Sequence, residues 1–271
     1  MAKNIECKAV FPGVYDITER LGLHLTLLAG SKRALLFDTG YGLDDLPGAV
    51  RERTDRPLTV VNSHGHHDHA CGNYLFEAVY VHPDDFDCCQ RYAGRGRGAM
   101  FEHAEALGVD VRDVDRERYL AAGCGNLLPL EKMEWDLGGL TARLIHLPGH
   151  TPGSVILYVP EYRLLMPGDN WNPTTWLFFD ECSPVEAYLE TLRAMLALDF
   201  QYMLVPHAAG LLDRGRMERF AVGLTGEALT AGSRPEPSLG ERVRSCHPTP
   251  DTTFVFDAGK LPRRLFEAFR A

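Results

Sequence analysis

Missing from these 271 residues is any apolar run near the roughly 18 residues that a membrane-crossing helix needs. The opening stretch, MAKNIECKAVFPG, also lacks the charged-then-apolar layout of a secretory leader. The expectation is a cytoplasmic protein with no membrane partner. Cysteines are sparse: Cys7, Cys71, Cys88, Cys89, Cys124, Cys182 and Cys246 are odd in number, scattered, and contain no C-x-x-C pair. That spacing argues against a disulfide framework and leaves thiols. Basic residues are outnumbered, 28 Lys and Arg against 37 Asp and Glu, for a net charge of −9. Such a balance disfavours sequence-independent attraction to nucleic acid, although a bound dication can make one pocket locally positive. Internal repeats and low-complexity tracts are absent too.

What is present is 45% hydrophobic residues, enough to bury a core, and one recurring phrase. A short apolar run ends in a turn, and the turn carries a residue able to bind metal: ALLFDTG (Asp38), LTVVNSHGHHDH (from His64), LIHLPGH (His150), RLLMPGD (Asp169) and YMLVPH (His207). Each run has strand length and is bounded by Gly or Pro, so each polar residue falls just past a strand end and five strand ends can converge on one site. Strands are expected near 13–17, 23–28, 33–37, 58–62, 78–81, 141–147, 154–159, 163–166, 202–205 and 252–256. Helices are expected near 42–53, 84–92, 98–107, 211–224 and 261–270. The clearest helix is CSPVEAYLETLRAML, where Ser183 is read as the cap, Pro184 as the first helical residue and Glu186 as the capping-box partner. Alternating strands and helices imply mixed sheets covered by outer helices. The chain reads as a single domain over 1–271, with a polar, helix-leaning insertion at about 83–127 and an extension at about 226–271 that opens in a Gly/Pro/Ser-rich loop.

The stretch NSHGHHDHACG concentrates four histidines and an aspartate within six positions. His64 and His66 are two apart, which puts them on one face of extended chain and nearly opposite faces of a helix. A turn carrying Asp68 and His69 then directs a second pair of side chains to a neighbouring ion. Imidazole and carboxylate donors suit zinc, iron or manganese alike.

The H-x-H-x-D-H motif at 64–69, with Asp38 before it and His150, Asp169 and His207 after it, resembles the metallo-β-lactamase-fold superfamily over about residues 10–225. The resemblance implies an α/β (α+β) architecture, a four-layer αββα sandwich of two mixed β-sheets flanked by helices, with two divalent metal ions at one edge, most readily zinc. It implies His64, His66 and His150 as ligands of one ion, Asp68, His69 and His207 as ligands of the other, Asp169 as the carboxylate bridging both, and Asp38 as a support behind them. His67 falls at the variable position of the motif and stays outside the ligand set. Cys71 reads as a small buried thiol, and His146 as packed in a strand.

Such a pair of ions permits hydrolysis by a metal-bridging hydroxide, with Asp68 orienting the water or passing its proton to the leaving group. Asp169 points away from zinc β-lactamases, and NWNPTTWLFFDEC lacks the glyoxalase II signature. The expected substrate is a small ester, thioester, lactone or phosphoester. The alternative is a mononuclear-iron persulfide dioxygenase using His64, His150 and Asp169. A non-catalytic metal-binding protein of this fold is the third reading, and the complete ligand set argues against it. Trp171, Trp176, Phe178 and Phe179, with Tyr92 and Phe101 of the insertion, are candidates for a substrate pocket with an apolar part. Arg91, Arg95 and Arg97 in a glycine-rich stretch read as solvated. Aromatic loops of this kind would also suit a homodimer.

Overall fold

A computed structural model describes residues 4–235 and 237–261. The first sheet runs β1 (Glu6–Phe11), β2 (Val14–Thr18), β3 (His24–Ala29), β4 (Ala34–Phe37), β5 (Leu58–Val61), β6 (Val79–Val81) and β7 (Leu127–Pro129), in that spatial order. It is antiparallel through β4 and parallel from β4 to β7. The second sheet takes β8 (Glu134–Asp136), β9 (Thr141–His146), β10 (Val155–Val159) and β11 (Leu164–Met166). The chain then leaves it for β12 (Thr174–Leu177) and returns with β13 (Tyr202–Val205) and β14 (Ala208–Asp213), giving the order β14-β13-β11-β10-β9-β8. Finally β15 (Val243–Thr249) and β16 (Thr252–Asp257) form a hairpin on which β12 pairs in parallel, making a third sheet.

The helices are α1 (Leu46–Arg51), α2 (His67–Ala70), α3 (Phe86–Cys89), α4 (Ala99–Ala106), α5 (Arg116–Ala121), α6 (Val185–Leu196), α7 (Arg214–Gly223) and α8 (Gly226–Thr230). Side-chain parity along the strands produces the layers. In β10, Val155, Leu157 and Val159 face an inter-sheet core with Leu28, Leu35 and Phe37, while Ile156 and Tyr158 face Tyr188 and Leu192 of α6 and Met217 and Phe220 of α7. In β3, Leu25 and Leu27 turn the other way, toward Leu46 and Val50 of α1 and Met100 and Phe101 of α4. Two sheets are thus packed face to face with helices outside, as the αββα expectation required. No helix among the described residues is long and apolar enough to cross a membrane.

Several local expectations are corrected. The capping box at Ser183 does not form: α6 starts at Val185, Pro184 is its cap residue with no side-chain cap bond, and the Ser183 amide donates instead to the Gly149 carbonyl at 2.8 Å. Pro184 has an extended ψ of 148°, so the chain enters the helix one residue later than expected. The helix expected from 211 begins at Arg214, because Leu211 to Asp213 extend β14 against β13. Strands β1, β7, β8, β12, β14 and β15 are additions to the expected set; they are short, polar or Pro-flanked, and gain their stability from the partner strand. The helix expected at 261–270 lies, beyond Leu261, outside the described residues.

Candidate metal site

All five strand-end phrases meet at one edge of the two main sheets. Asp38 follows β4, His64 to His69 follow β5, His150 lies between β9 and β10, Asp169 sits in a 3-10 turn after β11, and His207 follows β13. His66 is the cap residue of α2 with extended φ/ψ (φ −70°, ψ 159°), but residues 63–66 form a bend rather than the straight segment expected through His64 and His66, and the chain coils from His67 onward. Two adjoining groups result: His64, His66 and His150, and Asp68, His69, Asp169 and His207, each with ligand-type atoms within 4.8 Å of one another. Asp169 stands at the seam, Oδ1 3.4 Å from His69 Nε2 and Oδ2 3.2 Å from His207 Nε2 and 3.7 Å from His150 Nε2.

Outer partners fix which nitrogen of each ring is turned inward. Asp38, held at a left-handed φ of 70°, accepts from the Ser63 amide at 2.6 Å, the Ser63 hydroxyl at 2.8 Å and His69 Nδ1 at 2.9 Å. Because that hydroxyl proton goes to Asp38, its oxygen accepts from His64 Nδ1 at 3.0 Å. His150 Nδ1 donates to the Trp176 carbonyl at 2.7 Å, and His66 Nε2 meets Glu181 Oε1 at 2.8 Å. What remains is His64 Nε2, His66 Nδ1, His150 Nε2 and His69 Nε2, all inward. The Nε2 atoms of His64 and His69 are buried with no hydrogen-bond partner among the described residues. Orphaned buried nitrogens of this kind, opposite imidazoles and carboxylates, are the donor set a divalent cation takes.

The electrostatics divide the two groups. Burial, aided by the neighbouring imidazoles, pushes His64 well below the usual histidine range and His150 down to about 4. For His69 burial works downward as well, yet Asp68, Asp169 and Asp38 outweigh it and hold the imidazolium well above its ordinary value. His207 is raised in the same way, against burial, by Asp169 and Asp68. In return, and again against burial, the imidazoles pull Asp68 down to about 2 and Asp169 well below the carboxylate range.

Two site-shaping carboxylates escaped sequence reading. Glu181 partners His66. Asp85, fully buried, accepts from the Gly65 amide at 2.8 Å, Thr151 Oγ1 at 2.7 Å and the Gly153 amide at 2.7 Å, tying the loop of His64 and His66 to the loop of His150. Asp85 lies in a polar stretch, where nothing in DDFDCC separates it from its solvated neighbours. Asp85→Ala leaves those three donors unsatisfied and is expected to cost about 3 kcal/mol or more, read as a lower midpoint in urea unfolding at unchanged slope.

Above the two groups opens a cleft of about 390 Å³, walled by Tyr41, Tyr92, Trp176 and Phe179. Trp176 is 43% exposed there, and Phe178 stacks behind it on Phe179 at 4.5 Å. Trp171 is not a pocket residue: it is fully buried, packed edge-on against Phe220. Phe101 is likewise a core residue against Tyr119. Arg97 is buried rather than solvated, donating to the Cys71 carbonyl at 3.1 Å through Nη1, with its guanidinium over Tyr119 and Tyr74. Cys71 is a buried thiol, its pKa pushed up to about 12 by burial. His146, at the end of β9, stacks on His82 at 3.7 Å with 14° between the planes, and its Nε2 donates to the Pro152 carbonyl at 2.9 Å; with Asp84 the two rings form a further group of ligand-type atoms within 4.8 Å of one another.

A family profile described as the metallo-beta-lactamase superfamily matches residues 24–207. Among curated proteins, the acyl-coenzyme A thioesterase MBLAC2 of Bos taurus is 24% identical over 270 residues, covering 90% of this chain and 97% of its own. Its Homo sapiens counterpart matches with the same identity and coverage. Among solved structures, a metallo-beta-lactamase family protein from Thermus thermophilus superposes with a TM-score of 0.58 at 22% identity, over 82% of this chain and 83% of that one.

Proposed function

The chain belongs to the metallo-beta-lactamase superfamily, and from that premise we propose that it is a metal-dependent hydrolase of acyl thioesters. The observation that carries the reading is the pair of inward-facing His/Asp groups, with buried unpartnered nitrogens, at the floor of an aromatic cleft. The thioesterase relatives, aligned along nearly their whole length, support the choice of bond among esters, thioesters, lactones and phosphoesters.

In this reading His64, His66 and His150 would hold one divalent cation and Asp68, His69, Asp169 and His207 a second. Cations so held, zinc first and iron or manganese as alternatives, supply a water nucleophile that ionises near neutral pH and an electrophile for the acyl carbonyl. Asp68, its carboxyl kept ionised, accepts a proton as water adds to the carbonyl carbon and returns it to the thiolate as the carbon–sulfur bond breaks. Trp176, Phe179 and Tyr92 take the acyl chain and keep bulk water from the reacting carbon.

The test is metal content per chain, measured with turnover of a panel of thioesters, esters, lactones and phosphodiesters. About two metal equivalents and a preference for acyl thioesters are the expected result. About one iron, with oxygen uptake on a persulfide and no hydrolysis, overturns it in favour of the dioxygenase. Within the panel, Trp176→Ala is expected to raise KM for long-chain acyl thioesters roughly tenfold, with little effect on an acetyl thioester, because the lost contact is apolar and remote from the carbonyl.

A further inference from the structure

We propose that Glu181 is a positioning residue for the group formed by His64, His66 and His150, and that Lys260 holds Glu181 in place from the C-terminal part of the chain. The proposal rests on the metal reading above and not on the choice of thioester. His66 has two ring nitrogens, and only the one not donating outward can present a lone pair to a cation. Glu181 Oε1 takes the outward one, Nε2, at 2.8 Å, from a side chain only 11% exposed. A buried carboxylate there fixes the tautomer, locks the ring plane and makes Nδ1 more basic. The second carboxylate oxygen is steadied by Arg91 Nη1 at 3.4 Å.

Glu181 sits on a segment with no regular structure of its own after β12. Its anchorage comes from elsewhere in the sequence: Lys260 Nζ donates to the Phe179 carbonyl at 2.6 Å, the Asp180 carbonyl at 2.9 Å and the Cys182 carbonyl at 2.7 Å. Upstream, β12 is paired with β16 from Thr174 opposite Thr253 to Leu177 opposite Phe256. The same segment supplies the Trp176 carbonyl that orients His150. Two of the three histidines therefore receive their outer partners from residues 174–182, and those residues are held by residues 252–260, which lie past the end of the family match at 207.

Cobalt titration of metal-depleted protein, followed by visible absorption and zinc competition, tests this. Glu181→Gln keeps the shape and removes the charge. It is expected to weaken one equivalent per chain by 10- to 100-fold, to alter that equivalent's d–d bands, and to leave the other unchanged. Lys260→Met is expected to weaken the same equivalent by a smaller factor, and it carries the test alone if Glu181→Gln does not accumulate as folded protein. Wild-type affinity and spectrum in folded Glu181→Gln overturn the role of Glu181. A Lys260→Met protein that loses only thermal stability overturns the brace. Wild-type protein that takes up no cobalt overturns the metal reading and this proposal with it, whereas metal uptake without thioester cleavage overturns the substrate alone.

Discussion

Replacing His66 by alanine is expected to lower thioester hydrolysis by about a thousandfold, roughly 4 kcal/mol in transition-state free energy, and to leave the chain folded. The ring contributes little to the architecture: it makes no cap bond to α2, and its neighbours are other site residues, His150, Tyr92 and Phe179. Its loss strips one of three imidazoles from the first group and leaves Glu181 without its partner. Metal content should fall toward one equivalent, while the far-ultraviolet spectrum stays native. Full activity in His66→Ala, with metal retained, would remove His66 from the ligand set.

The second large effect concerns protons. Free of metal, His69 and His207 are raised and carry protons among Asp68, Asp169 and, for His69, Asp38, whereas His64 is pushed far down and His150 to about 4. A cation must displace a proton from each raised ring, so loading the Asp68, His69, Asp169, His207 group releases up to two protons. Its apparent affinity is therefore expected to fall up to about 100-fold per pH unit on acidification through the range where both rings are protonated. The His64, His66, His150 group is expected to release fewer protons on loading, because burial pushes His64 well below the usual histidine range and His150 down to about 4. Calorimetric titrations in buffers of different ionisation enthalpy read the proton count directly, and equal release for both equivalents would contradict the assignment. The same shifts bear on the stability of metal-free protein. The raised His69 and His207 contribute stability that is complete below the ordinary value of 6.5 and lost as pH rises through their folded values. The depressed His150 destabilises as pH falls from 6.5 toward 4, and the ionised Asp68 contributes above 3.8 and ceases to contribute near 2.

The arrangement was legible in the sequence where a residue's position follows from a strand end. Asp38, His64, His150, Asp169 and His207 each stand just after an apolar run, whereas the extended segment expected through His64 and His66 is a bend that reaches extended φ/ψ at His66. The four layers follow from the same alternation, most clearly in β3 and β10. Three things were not legible, for one reason. Asp85, Glu181 and the burial of Arg97 depend on partners far along the chain, at residues 65, 151 and 153, at residue 66, and at residue 71 respectively. No local pattern marks a carboxylate that is buried by a distant loop. The Ser183 cap failed for a related cause, since the Ser183 amide is drawn to Gly149 in the loop that carries His150. Trp171 and Trp176 belong to one aromatic stretch, yet one fills the core ahead of β12 and the other faces the cleft. Within β12, Thr174 and Trp176 take the open face while Thr175 and Leu177 take the buried one.

The thiols offer a practical handle. Six of the seven cysteines are buried, and burial holds the thiols of Cys71, Cys88, Cys89, Cys124, Cys182 and Cys246 above their usual ionisation range. Only Cys7, on the edge strand β1 of the first sheet, is partly open to solvent, although burial raises its thiol too. A maleimide dye applied to the native protein thus labels one defined position without mutagenesis. Exposure of the other six becomes a clock for unfolding, in which each thiol that reacts reports the opening of the layer that covered it.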